Sequence, residues 1–498
     1  MKRIVTVLFG MGLIVFLCAA LTATAYAVGA LMEEHAFAGA SRLTNIFFLM
    51  VVFVMIIATL LTVAERKWSA LIQDRIGPNR ARINLPGLRN APLAGIPHLI
   101  ADAVKMLTKE DFVPALANAF IFKLGPILAF GSVFALFAVV PAGPSITLWG
   151  QRVDMVVSTP DFGLLYLLAI ASLAVYGTSL AGWASNNKFA LLGGVRASSQ
   201  MISYEVALGL SLVGLIMAFS TVQMTPIVGT LAAETGASTG QARYLWQLTG
   251  ADGGFDIGLP SWGFILQPLG FLGFFAASFA ETKRAPFDAP EGDSEIIGYF
   301  VEYSGMKFGL FMISEFVEVV VLAGVTTVLF FGGWHLPFGG EWVATQLKDA
   351  PLLYGTLLGT VFWMKVLGLI FIQMVIRWTF PRFRYDQIQT LGWKILLPMG
   401  LVNVFVTGAL VLWDPSLRYL ALFGLLQIAV VLGLTLSSKE EAQEPRGHGP
   451  GHALGLGHGP GLGGLPAGAQ GHALPAQSHL PEPLDGKAPV GASVPSTH

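Results

Sequence analysis

Between residues 281 and 318 the chain carries eight carboxylates, Glu281, Asp288, Glu291, Asp293, Glu295, Glu302, Glu315 and Glu318, against Lys283, Arg284 and Lys307. Carboxylates crowded in a partly buried place raise one another's proton affinity and share protons at neutral pH. A run of this kind can pass protons along. A solvated acidic loop is the plainer reading, and it suits Asp288 and Glu291. It does not suit Glu315 and Glu318, which fall inside the apolar stretch KFGLFMISEFVEVVVLAGV, nor Glu205 in SYEVALGLSLVGLIM. An ionised carboxylate near a bilayer centre costs about 2.5–3.5 kcal/mol, so such groups face the protein interior, where they serve function or bond another helix. Lys365, inside LLGTVFWMKVLGLIFIQMVI, needs a carboxylate partner, Glu315 being one candidate, or a snorkelling path.

The elements that must position these groups follow from composition. Of 498 residues, 54% are hydrophobic and 12% charged, half the charged share of an average soluble domain. The apolar residues come in blocks, such as IFFLMVVFVMIIATLLTV at 46–63, matched to a hydrocarbon core about 30 Å thick. The chain is therefore read as an all-α polytopic membrane protein with about ten transmembrane helices, at 4–30, 44–64, 118–140, 161–182, 198–220, 261–280, 304–332, 353–376, 395–413 and 417–436. This excludes a soluble enzyme and a disordered chain. Net charge −1 offers no footprint for nucleic acid.

The links at 65–117, 183–197, 281–303 and 377–394 hold most of the Lys and Arg between spans. The alternate links hold only Arg42, Arg152, Arg243, Lys348 and Arg418. The positive-inside rule then puts the first set, and both termini, in the cytoplasm. The first span has a rival reading as a cleavable signal peptide, with Lys2-Arg3 ahead of it and the small residues Thr22 to Ala27 near its end. Its apolar stretch outruns the 7–15 residues usual in such a peptide, which favours a retained helix. From about residue 438 the chain is rich in Gly, Pro, Ala and His, with nothing to bury, and is expected to be a disordered tail.

One cysteine, Cys18, cannot build a disulfide, an iron–sulfur cluster or a thiolate zinc site. Six of the nine histidines lie in the tail, leaving His35, His98 and His335, too dispersed for a haem. The chain is read as binding no metal or cofactor of its own.

Four polar stretches are specific. They are AERKWSA with QDRIGPNR (64–80), the amphipathic ADAVKMLTKE (101–110), AETKRAPFDAPEGDSE continuing to VEYSGMK (280–307), and FPRFRYDQ (380–387). In this order and spacing they resemble the H subunit of bacterial proton-translocating NADH:quinone oxidoreductase, respiratory complex I. The resemblance covers about 44–413. It implies an eight-helix core there, an extra helix and link at 1–43, another extra helix at 414–437, and the tail at 438–498. It implies a multi-pass protein of the bacterial plasma membrane, with quinone as substrate. NADH, FMN and Fe–S clusters would be carried by partner subunits, namely peripheral Fe–S quinone-module subunits and antiporter-like membrane subunits. The resemblance implies that Glu205, Glu281, Glu291, Asp293, Glu295, Glu302 and Glu315 are candidates for a polar, proton-carrying path from the quinone chamber toward the antiporter-like subunits. Asp293 stands where the family commonly has Glu, and Glu318 has no acidic counterpart in the pattern.

A quinone has an apolar tail and a head whose carbonyls become anionic on reduction, so its chamber needs an apolar passage with a polar end; ubiquinone and menaquinone are served alike. Arg66, Arg75, Arg382 and Arg384 could meet the head, dock an acidic partner surface or hold lipid phosphate. By position, Arg66, Asp102 and Arg384 are the residues the resemblance assigns to the chamber or its mouth. Between Arg80 and Ala101 the sequence departs from the family, with His98 near the usual Gln. The membrane anchor subunit of an energy-converting hydrogenase or formate hydrogenlyase shares the scaffold without the chamber, and is the alternative. A stand-alone secondary transporter predicts two comparable halves or helices broken at mid-membrane, and no repeat is evident.

Overall fold

A computed structural model of the protein describes residues 2–35, 39–85, 88–91, 95–249, 257–290 and 297–441. Glu291, Asp293 and Glu295, and the 442–498 part of the expected disordered tail, lie outside the described residues. The described residues up to Lys439 fall in one unit.

The helices used below are α1 (Lys2–His35), α2 (Ala40–Ile72), α3 (Pro97–Thr108), α4 (Ala119–Leu136), α5 (Gly163–Ala184), α6 (Lys188–Phe219), α7 (Gly263–Leu266), α8 (Pro268–Glu281), α9 (Gly305–Phe330), α10 (Pro351–Thr379), α11 (Tyr385–Trp413) and α12 (Arg418–Glu441). Nine of them contain stretches long and apolar enough to cross a membrane, among the described residues. Helix α2 has 33 residues and is about 50 Å long. That exceeds a hydrocarbon core of about 30 Å, so its polar last turns, with Glu65 and Arg66, stand beyond the apolar layer. Helix α9 is the hub: 72% of its apolar window is buried, against 22% for α1 and 17% for α12. It packs on α2, α3, α4 and α10, while α6 packs on α5, α8 and α11.

The expected span at 261–280 is broken. Gln267 leaves helical geometry (φ −138°, ψ 63°) and Pro268, which has no N–H to give, restarts the helix. Helix α8 has 14 residues and is about 21 Å long, too short to cross alone. The Gln267 amide is used sideways by α11: it donates to Thr407 Oγ1 (2.7 Å) and accepts from Asn403 Nδ2 (2.6 Å). Three two-stranded antiparallel hairpins occupy links, β1–β2 (Ile83–Leu85, Leu88–Ala91), β3–β4 (Ile146–Leu148, Gln151–Val153) and β5–β6 (Tyr244–Thr249, Ile257–Pro260).

Lys365 of α10 has backbone rather than carboxylate partners. Its Nζ donates to the carbonyls of Phe331 (2.7 Å), Gly333 (3.0 Å) and His335 (2.6 Å) at the end of α9, and lies 4.4 Å from the Trp262 ring. Phe331 is the C-cap of α9, and Gly333 and His335 lie in the loop that follows it, so backbone carbonyls just beyond the helix satisfy the ammonium. Glu315, the candidate partner, instead accepts from Tyr299 Oη at 3.0 Å.

Helix α1 packs closely on α10. The buried Thr22 and Tyr26 lie over Gly355 and Gly359, where an added Cβ would meet Tyr26 Cε2 at 3.1 Å and Thr22 Cγ2 at 2.6 Å. This is the small-xxx-small seam by which membrane helices approach. Tyr26 Oη also donates to Pro144 O (2.7 Å). The packing supports a retained helix, which the mass of the mature protein checks: a start near Val28 would overturn it.

The seam and the end of α9 can each be probed by one substitution. Gly359→Leu should overpack the seam and lower stability by about 1–3 kcal/mol, read as an earlier thermal transition of the purified complex. His335, buried with Nε2 donating to Gly229 O (3.1 Å), has its pKa pushed down to about 4, chiefly by burial, with the Lys365 charge adding to the effect. The unfolded chain would protonate near pH 6.5. The stability from a neutral His335 is thus complete above that pH and is lost as pH falls towards 4. His335→Gln should flatten that acid limb in thermal melts.

Candidate functional site

Glu65 lies on the buried face of α2, at the spacing Ala58, Leu61, Glu65, Ser69. It is 7% exposed. Its carboxylate bridges two guanidiniums, Arg284 Nη1 on one oxygen and Arg377 Nη1 on the other at 2.6 Å. Arg284 also lies over the Phe316 ring, 4.0 Å from its centroid. The ends of α2 and α10 and the segment after α8 are thereby tied together.

The segment after α8 turns inward for a local reason. Lys283 adopts a left-handed conformation (φ 55°) just after the helix ends, so Lys283 and Arg284 are carried into the protein and are buried. Gln200 of α6 fastens both sides of the turn, donating from Nε2 to Ala280 O (2.7 Å) and Phe287 O (2.8 Å). The 380–387 stretch docks on the same turn: Phe383 N donates to Pro286 O (3.0 Å), and Arg382 Nη2 is 2.9 Å from Asp288 Oδ2. The solvated loop that the sequence suggests for Asp288 is not what the fold makes of it. Its side chain is 12% exposed and held by that arginine.

Beside Glu65 opens a cavity of about 520 Å³, within the range of small-molecule sites. Glu65, Arg66, Arg75, Arg80, His98 and Arg377 supply its polar lining, and Met312, Phe316 and Trp378 its apolar side. Of the three residues assigned to the chamber or its mouth, two meet: Arg66 Nη1 is 2.6 Å from Asp102 Oδ2 of α3. Arg384 stands apart from that lining, exposed and 3.7 Å from Asp386. His98 Nε2 accepts from Ala81 N (3.3 Å).

The remaining carboxylates lie on the neighbouring helices. Glu281 ends α8 and is buried; Glu318, one turn after Glu315 on α9, is buried too. Glu281 is within electrostatic reach of Glu318, Glu205 and Lys283, and Glu318 within reach of Glu315. Glu302 accepts from Asn187 Nδ2 (2.6 Å) at the start of α6. Glu205, Glu281 and Glu315 thus form one series through Glu318. Glu302 is held by a neutral amide instead.

Sequence reasoning does not single out Glu65 or Arg377. Glu65 carries a signal, because it continues the buried spacing of α2. Arg377 carries none, its partner being 312 residues away.

A family model described as NADH dehydrogenase matches residues 44–408. In Cytophaga hutchinsonii, H subunit 1 of NADH-quinone oxidoreductase is 41% identical over 360 residues, which are 72% of this chain and 93% of that protein. In Syntrophobacter fumaroxidans, H subunit 2 of the same oxidoreductase is 41% identical over 362 residues, 72% and 92% of the two chains. The chain belongs to the NADH dehydrogenase family. The four polar stretches, the cavity and the buried carboxylates all lie inside the matched residues. Helices α1 and α12 lie outside them. In Geobacter metallireducens, H subunit 1 is 40% identical over 369 residues and is covered to 94%, so these family members align with this chain over nearly their whole length.

Gln200→Ala should strip Phe287 O of its amide donor and leave Ala280 O with only its backbone bonds within the turn, at about 1–3 kcal/mol for the carbonyl left unpaired. The expected result is a complex that assembles poorly or melts earlier; unchanged assembly and melting would show that the turn holds without the clamp.

Proposed function

We propose that this chain is the membrane subunit of a proton-translocating NADH:quinone oxidoreductase that builds the quinone chamber and couples quinone reduction to proton movement. The observation that carries this reading is a polar cavity sharing its wall, Glu65, with a network that reaches the series of buried carboxylates. A quinone head gaining electrons develops negative charge; Arg66, Arg75 and Arg377 line the cavity where that charge would stand. Charge appearing there acts through Glu65 and Arg284 on Lys283, Glu281 and Glu318, because fields are weakly screened in a buried site. The names of the relatives favour this reading over a hydrogenase anchor.

On this reading, peripheral Fe–S subunits close the chamber from the cytoplasm and carry the electron chain, with NADH and FMN farther out. Antiporter-like membrane subunits take the protons onward. The matched core corresponds to the 44–413 unit, with 1–43 and 414–437 as additions around it. The chain sits in the bacterial plasma membrane with both termini in the cytoplasm.

Glu281→Gln removes a proton site without changing shape. Its NADH:quinone activity and proton pumping should fall by about tenfold or more, while the complex still assembles. Glu205→Gln should act in the same direction. Full coupled activity in both variants would sink the carboxylate path. Purification from native membranes through the C-terminal tail should bring down Fe–S, flavin and antiporter-like subunits; a nickel–iron hydrogenase module in their place would establish the anchor reading.

A further inference from the structure

Glu318 is more deeply buried than any other carboxylate of the series among the described residues, at 2% exposed. Lys283, 4% exposed, places its Nζ 3.6 Å from Glu318 Oε2. The same ammonium is within electrostatic reach of Glu281. Glu318 in turn reaches Glu315, Arg284 and Lys283. Arg284 is committed to Glu65. Glu318 therefore stands between Glu281, at the end of α8, and Glu315 of α9, and Lys283 is the cation that Glu281 and Glu318 have in common. Three carboxylates stand around one ammonium, with Arg284 shared with Glu65, and because an uncompensated buried charge is costly, retained protons relieve the excess negative charge.

We propose that Glu318 is a proton-carrying station between Glu281 and Glu315, and that Lys283 is the positioning residue that decides on which of Glu281 and Glu318 the proton rests. The proposal rests on the carboxylate path described above. In the transfer a proton leaves the Glu281 carboxyl and the Glu318 carboxylate accepts it. The Lys283 ammonium moves the opposite way, from Glu318 to Glu281, so the charge of the cluster is unchanged. A flexible four-carbon stem with a compact charged tip is suited to such an exchange, and a rigid guanidinium fork is not.

The competing explanation is a brace that only holds α8 against α9. Neutralising both partners separates the two, because replacing a buried ion pair by neutral groups of similar volume is often harmless to folding, whereas removing one partner is not. The chromosomal gene is replaced by variants, and NADH oxidation by an artificial acceptor that bypasses quinone reports assembly. Lys283→Met/Glu318→Gln should assemble and oxidise NADH at the parental rate, with NADH:quinone activity and pumping lowered by about tenfold or more. Glu318→Asp alone, which keeps both a carboxylate and Lys283, should retain a large part of the activity that the neutral pair loses. Parental quinone activity and pumping in the neutral pair would overturn the proposal and leave a brace. So would failure of the neutral pair to assemble, which would place the two residues in folding. If Glu281→Gln is also fully active, the carboxylate path itself has failed; if Glu281→Gln is impaired and the neutral pair is not, Glu318 alone has been misassigned.

Discussion

A charge that cannot reach water must find a counter-charge, and the structure around the cavity depends on how Glu65 meets that requirement. Both oxygens of one carboxylate are taken by guanidiniums from distant parts of the chain. Removing one partner of a buried pair typically costs about 3–5 kcal/mol, because the survivor is stranded, and loss of Glu65 would strand the buried Arg284 in this way. The network is thus a strict condition on geometry. Helix α2 must extend past the apolar layer to present Glu65, the segment after α8 must turn inward to present Arg284, and α10 must run on to Arg377. The cavity lies against this knot, and its wall is as fixed as the knot is.

The turn after α8 shows how neutral groups complete what the charges begin. Gln200 takes two carbonyls of that turn from the side of α6, and the Pro286 carbonyl receives Phe383 from the 380–387 stretch. Backbone groups left without water are satisfied by side chains from helices packed alongside. Three of the four polar stretches in the sequence meet at this place, which explains why their order along the chain says little about their role until they are folded.

The helices are largely readable in the sequence because hydropathy over some twenty residues is a strong signal. Their ends are not: α6 begins at Lys188 and α11 at Tyr385, where polar residues join a helix outside the apolar layer. The break at Gln267 is hidden in a run that is apolar apart from Ser261, Gln267 and Ser278, since a side chain from another helix decides whether proline bends a span or restarts it. Pairings by charge are readable only in kind. A lysine inside an apolar helix announces that it needs partners, but the three carbonyls that receive Lys365 have no signature in the sequence. Glu318 is visible as an oddity, and only the inward turn of Lys283 supplies its neighbour.

The fastening of Lys365 to the end of α9 constrains how that helix can move. Sliding α9 along its axis, carrying the Phe331–His335 segment with it, would break the three hydrogen bonds to Lys365 at once. Tilting about that end keeps all three. Helix α9 is therefore a lever with its pivot near Phe331, and a sideways push near Gly305 becomes a smaller, proportionate displacement at Glu315 and Glu318, set by their distance from the pivot.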